Sequence, residues 1–489
     1  MSTRQAFRRV FPGVMVAMFL AAADQTILAS ALPTIASSLG GLADLSWVVV
    51  AYLLAATVAA PLYGHLGDRF GRQRMLLFAL AVFTAASLAC AVAPTLLALI
   101  AARALQGLGG GGLMTLAQAV IGEHVPPRER GRFAGHFAML FALASTSGPV
   151  AGAYLTEHFS WRAVFAVNLP LGLVAAVLAL RMPRAPRVIH ADRFRLDVVG
   201  VLLFTASTVL LLFALSSGGH RFAWTSWKLL SLLAAAGIGY TLLLVWEQRV
   251  ADPVIPIRLL GTPAILRSGG VVICFAAALF ATILYLPLYL QLGRGLAVGT
   301  SGLLLLPITL AMVISSAVTG RLVTQTGRVN IFPLCGLALA TLALLALAGG
   351  VRAAPTPLML ALTLLVGVGL GMVMPPTQVT VQHAAGRESL GAATASISLA
   401  RAMGGAIGVA VVGAVLFALI GDTADGVAAL LHQAVEGGPP AIARMAASER
   451  GLLAAHIDGA YRVVFLVVAG FTLTGALIAR TIPEPQWTS

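Results

Sequence analysis

The chain has 489 residues, of which 59% are apolar and only 10% charged. Soluble proteins carry about 25% charge, so a water-facing fold is excluded and the chain reads as a polytopic membrane protein. Its net charge of +14 fits positive residues gathered in cytoplasmic loops; with no basic patch interleaved with aromatics, nucleic acid is excluded as a partner.

A bilayer span needs about 20 predominantly apolar residues. In chain order such stretches fall near 11–31, 46–66, 75–94, 96–121, 133–154, 163–180 and 197–215, then 226–246, 269–290, 299–319, 330–349, 357–381, 394–419 and 461–480. These fourteen spans predict an all-α membrane fold, with local breaks permitted by Pro and Gly in spans 9, 10 and 12. Span 1 follows Arg8-Arg9 but carries Asp24 and lacks a cleavage site, so it reads as a retained helix and not a signal peptide. Cys90, Cys274 and Cys335 all lie in apolar runs and read as core thiols, with no disulfide framework or metal signature.

An even count puts both termini on one side. With the N-terminus in the cytoplasm, 21 of the 31 positive residues fall in inner segments and eight in outer ones, leaving Arg103 and Arg401 in or near spans. That bias predicts cytoplasmic termini, a cytoplasmic Arg187 and an external segment at about 420–460. Within the latter, 427–435 and 441–456 have helical periodicity around a Gly-Gly-Pro-Pro break and read as a small external cap. Residues 251–268, with three prolines, read as an interfacial element.

Gly64-His-Leu-Gly-Asp-Arg-Phe-Gly71-Arg72 after span 2 is echoed by Gly320-Arg-Leu-Val-Thr-Gln-Thr-Gly327-Arg328 after span 10, an offset of 256. The exits of the Gly-rich spans 4 and 12 are likewise related, Arg128-Glu129 with Arg387-Glu388, at an offset of 259. The duplication divides the chain into a six-helix bundle at 1–181, two inserted helices at 182–250 and a second bundle at 251–489. Parallel repeats with a path at their interface are a transporter signature.

Asp24 is the one acidic residue well inside a span, spans 9–14 having no deep carboxylate. An ionised carboxylate in lipid is costly, so Asp24 faces a cavity or a partner and suits a proton or cation relay, a structural carboxylate hydrogen-bonded between helices being the alternative. Arg103 in span 4 lies seven residues below the outer end, as Asp24 does in span 1, so both sit about 10 Å deep at 1.5 Å per residue. An ion pair is within reach; snorkelling of Arg103 to the interface is the alternative. Asp68, Arg69, Arg72 and Arg74 form a charged turn suited to latching the inner mouth, or alternatively to a static topology anchor, with Gly64 and Gly71 allowing a tight backbone. Neighbouring N–H groups, Arg130 and Arg132 are the expected partners of Asp68. Gly148, Pro149 and Gly152 in span 5 allow close approach to a neighbour, expected to be span 8 or the counterpart of span 5.

This combination resembles the major facilitator superfamily, in particular its fourteen-helix drug:proton antiporter branch. Gly64 to Arg74 resembles the superfamily's loop motif. Asp24-Gln-Thr-Ile-Leu-Ala-Ser-Ala-Leu32-Pro33 resembles the branch's span 1 motif, and Arg103 with Gly107 its span 4 motif. Trp161-Arg162 through Asn168-Leu-Pro170-Leu-Gly172 resembles its span 5–6 signature. The span 5 antiporter motif keeps Gly148-Pro149 and Gly152 but has Ala144 and Ala153 at its outer glycines, and the second-half loop has Thr324 in place of the aspartate.

The resemblance implies proton coupling through Asp24 and Arg103 and export of lipophilic cationic or neutral molecules. The alternatives are export of an endogenous amphiphile such as a lipid, siderophore or metabolite, or uptake by symport. Protons are the coupling ion, no cofactor or metal is implied, and an enzyme is disfavoured because the nine histidines are scattered. The expected partners are a small lipophilic substrate and membrane lipids, with the chain acting as a monomer. Tyr52, Phe137, Phe141, Phe280, Tyr285, Met312 and Met372 are the candidate cavity contacts.

Overall fold

The computed structural model describes residues 9–28, 31–39, 47–125, 136–137, 140, 143–144, 147–148, 151–152, 154–183, 197–218, 222–250, 261–296, 304–350, 355–386, 389–421 and 446–484. Among these the regular elements are helices, as backbone groups in hydrocarbon must be satisfied within their own segment. In the first half they are α1 (Phe11–Ile27), α2 (Leu32–Leu39), α3 (Trp47–Phe70), α4 (Arg72–Ala91), α5 (Leu96–His124), α6 (Ala163–Ala166) and α7 (Asn168–Leu180). The inserted pair is α8 (Val198–Ser217) and α9 (Trp227–Glu247). The second half has α10 (Pro263–Leu292), α11 (Leu306–Thr326), α12 (Ile331–Gly350), α13 (Thr356–Gly371), α14 (Met374–Ala385), α15 (Leu390–Gly421) and α16 (Ala447–Arg480).

Twelve segments among the described residues are long and apolar enough to cross a membrane, α6–α7 and α13–α14 each counting as one. The protein is therefore a multi-pass membrane protein. Against the fourteen spans expected, α1 is apolar but only 17 residues long, and the expected span at 133–154 lies largely outside the described residues. Arg187 and residues 422–445 also lie outside them.

Three boundaries differ from the sequence reading. Span 12 is broken at Met372–Val373 into α13 and α14, because Pro375 and Pro376 lack the N–H groups a continuous helix would use. Span 9 begins at Pro263, inside the expected interfacial element, since proline is accepted in a first turn. The last helix starts at Ala447, taking up much of the expected cap. Its 34 residues run about 51 Å at 1.5 Å per residue, longer than the roughly 30 Å hydrocarbon core; no proline stops it.

The two largest buried apolar clusters lie one in each half, the first from residues between Val10 and Met182 and the second from residues between Val271 and Ile482. In the first, the Gly107–Gly112 run lets α5 nest between α3 and α4. A Cβ at Gly107 would strike the Tyr52 backbone, and one at Gly109 would come 2.6 Å from Phe83 N. Gly367, Gly369 and Gly371 do the same for α13 against α11 and α12. Both loop glycines of the repeat, Gly71 and Gly327, 256 apart, have positive φ, +99° and +69°, a region open to glycine.

The inserted α8 lies along the seam between the halves, packing on both α3 and α15, with Phe213 stacked on Trp47 at 5.5 Å. Most of α9 faces outward through Trp227, Leu230, Ile238 and Leu242, as suits a lipid-facing helix. Cys90 and Cys274 are buried, whereas Cys335 is exposed on α12 and is not the core thiol expected.

Candidate functional site

The two deep charges meet. Arg103 Nη1 lies 2.5 Å from Asp24 Oδ2, and both side chains are 1% exposed. The nesting of α5 places Arg103 beside α1. Gln106, one turn further along α5, donates from Nε2 to Asp24 Oδ1 at 2.9 Å, and Asn168 at the start of α7 donates to the same oxygen at 2.8 Å. Ser87 Oγ accepts from Gln106 Nε2 at 2.7 Å. Arg103 also donates to Gln106 Oε1 at 2.7 Å and to the Val48 carbonyl at 3.1 Å.

Tyr52 lies under this pair, its ring centroid 4.3 Å from the Arg103 guanidinium carbon. The α1 carboxylate is thus held by side chains of α5 and α7. A buried ion pair is stable only when its remaining polar atoms are satisfied, and Gln106, Asn168 and Ser87 supply that. The sequence reading assigned no role to these three. Gln106 had a signal, three residues after Arg103 on one helical face; Asn168 stood in the span 5–6 signature, but its approach to Asp24 is set by tertiary packing.

About 24 Å further along α3, sixteen residues past Tyr52 at 1.5 Å each, Asp68 joins the two halves. Its carboxylate accepts from Gly391 N at 3.0 Å and Ala392 N at 3.1 Å, at the N-terminus of α15, where partial positive charge favours an anion. Arg72 donates to Asp68 Oδ1 at 2.6 Å and pairs with Glu123 at 3.1 Å. Among the described residues the Asp68 partners are Arg72 and the opposite half's backbone; Arg130 and Arg132 lie outside them. Gly64 permits the contact, since a Cβ there would sit 2.6 Å from Gly391 O. Arg69 is partly exposed beside this seal, and Gly71 precedes α4.

Gly148 packs against α1, where a Cβ would collide with Thr26 Oγ1. Thr26 donates to the Ala144 carbonyl at 3.0 Å, so the small residues of the fifth segment seat the helix carrying Asp24. Gly152 is buried. Pro149 and Phe141 lie outside the described residues.

Of the other cavity candidates, Phe137 is buried in the first-half core. Tyr285 is buried in the second and donates to the Val409 carbonyl at 3.0 Å. Phe280 is 37% exposed, against the position of Gly405. Met312 packs on the second core from α11, and Met372 stands at the α13–α14 break near Gly336. Asp458, assigned by sequence to the external segment, lies within α16 and accepts from Tyr289 Oη at 3.0 Å, while Arg294 Nε donates to the same hydroxyl at 3.0 Å.

The sequence model of the Major Facilitator Superfamily matches residues 14–409, so the chain belongs to that family of membrane transporters. The chain is similar to the uncharacterized MFS-type transporter Rv1877 of Mycobacterium tuberculosis, at 35% identity over 481 residues covering 97% of this chain and 69% of that protein. It is 30% identical over 478 residues to the multidrug transporter protein MdtP of Bacillus subtilis, covering 96% and 86%. The crystal structure of the human organic anion transporter MFSD10 shares the fold at a TM-score of 0.66 and 17% identity, covering 96% of this chain and 99% of that one.

Proposed function

We propose that the protein is a proton-coupled efflux transporter of the cytoplasmic membrane, exporting lipophilic cationic or neutral molecules as a monomer. In this reading it has fourteen spans, two six-helix bundles and the inserted pair, with both termini cytoplasmic. The observation that carries it is the enclosed Asp24–Arg103 pair, held in one layer while Asp68 seals the opposite end across the two halves. The name of MdtP, a multidrug transporter, supports export as the direction.

The chemistry follows from the pair. A proton on Asp24 Oδ2 cancels its charge and frees Arg103, which keeps Gln106 Oε1, the Val48 carbonyl and the Tyr52 ring as partners. A cationic substrate is favoured beside ionised Asp24 and disfavoured once Asp24 is neutral. Alternating access then exchanges one for the other, with the Asp68 seal closed while the Asp24 layer faces outward. The test is pH-gradient-driven substrate accumulation in proteoliposomes, compared between the wild type and Asp24→Asn.

A further inference from the structure

The Asp68 contact is not the sole bond between the halves at its end of the molecule. Gln378 Nε2 on α14 donates to Gln118 Oε1 on α5 at 2.6 Å. Gln118 follows Arg103 by fifteen residues, about 22 Å along the helix, which places it level with Asp68. The two glutamines are 260 residues apart, within one residue of the 259 offset of the internal repeat. Near-equivalent residues that touch across two related halves lie close to the axis relating them. Their next-turn neighbours repeat the contact: Gly122 meets Gln382, where an added Cβ would sit 3.1 Å from Oε1.

The chain is built to make this contact. The break before Pro375-Pro376 sets α14 apart from α13, and Gln378 and Gln382 on α14 are buried, at 7% and 4% exposed. Gln382 reaches Thr394 Oγ1 at 3.5 Å, one turn past the Gly391 amide that Asp68 holds. Gln382, one turn after Gln378, thus ties α14 to the start of α15, the helix whose amides Asp68 holds.

We infer that Gln118 and Gln378 are gate residues, forming an uncharged clasp near the pseudo-two-fold axis that closes the Asp68 end beside the charged one. This rests on the alternating-access reading above. A carboxamide pair needs no ionisation, so this clasp holds whatever the protonation state of Asp68, and it opens only by separation of α5 from α14.

The test is double electron–electron resonance on the full chain in lipid nanodiscs, without substrate. Spin labels go on Phe70→Cys and Ile331→Cys, exposed positions in opposite halves at this end, with Cys90, Cys274 and Cys335 replaced by alanine. Gln118→Glu with Gln378→Glu sets like charges in contact. It should raise the ratio of long to short distances about tenfold or more, because like-charge contact costs more than one amide bond contributes. Gln118→Glu with Gln378→Lys should return the short distance. Gln118→Ala with Gln378→Ala, which introduces no charge, should shift the distribution in the same direction by less. Unchanged distances in the Glu/Glu and Ala/Ala variants, or the same response from Glu/Glu and Glu/Lys, would overturn the assignment. No proton gradient or cargo enters this readout, so failure of the efflux reading shows only in flux.

Discussion

Asparagine at position 24 keeps the shape of the aspartate while removing the titratable proton. In the structure Asp24 takes one charged contact, from Arg103 Nη1, and two amide hydrogen bonds, from Gln106 and Asn168. The asparagine oxygen can still accept the two amide bonds, but its NH2 would face Arg103, donor against donor. The loss leaves the buried Arg103 charge without its counter-ion, a cost of about 3–5 kcal/mol. Arg103 retains Gln106 Oε1 and the Val48 carbonyl, so the variant is expected to fold. Transport is affected far more. One proton exchanged for one neutral substrate across two pH units supplies about 2.7 kcal/mol, or about 100-fold accumulation; Asp24→Asn should bring this to unity. Counterflow exchange of substrate needs no net proton movement and should survive within a few-fold. The assay is flux in proteoliposomes with the pH gradient and membrane potential imposed separately. Undiminished pH-driven accumulation in a folded Asp24→Asn protein would refute Asp24 as the proton carrier.

Asp68→Asn removes the anion from the N-terminus of α15 and from Arg72, an interaction of about 1–2 kcal/mol. Its transport rate should fall about tenfold while substrate affinity, measured by equilibrium binding, stays within a few-fold. Gly391→Ala should block closure of the same seal, because its Cβ meets Gly64 O; the expected result is loss of transport with near-wild-type thermal stability, since the clash exists only when the halves meet. A cysteine replacing Arg187 should react with a membrane-impermeant thiol reagent only from the cytoplasmic side. Labelling from outside would break the fourteen-span topology.

Much of this protein is determined by its sequence alone, because lipid leaves the backbone few choices. Apolar runs of span length must become helices, and the helices from Trp47 to Phe70 and from Ile331 to Gly350 fall within a few residues of where hydropathy puts them. Depth arithmetic brings Asp24 and Arg103 level because axial rise is constant along a helix. The Gly71–Gly327 repeat is legible because few residues other than glycine adopt their backbone angles. Helix rotation and the choice of neighbour are tertiary decisions. Hydropathy does not separate Gln106 and Asn168 from other polar residues near spans; only packing of α5 and α7 against α1 turns both amides onto one carboxylate. Nor does spacing reveal that Asp68 caps a helix 323 residues away, since its bond partners are backbone N–H groups, which every residue but proline possesses. The same limit kept Gln118 and Gln378 apart until the two halves came together.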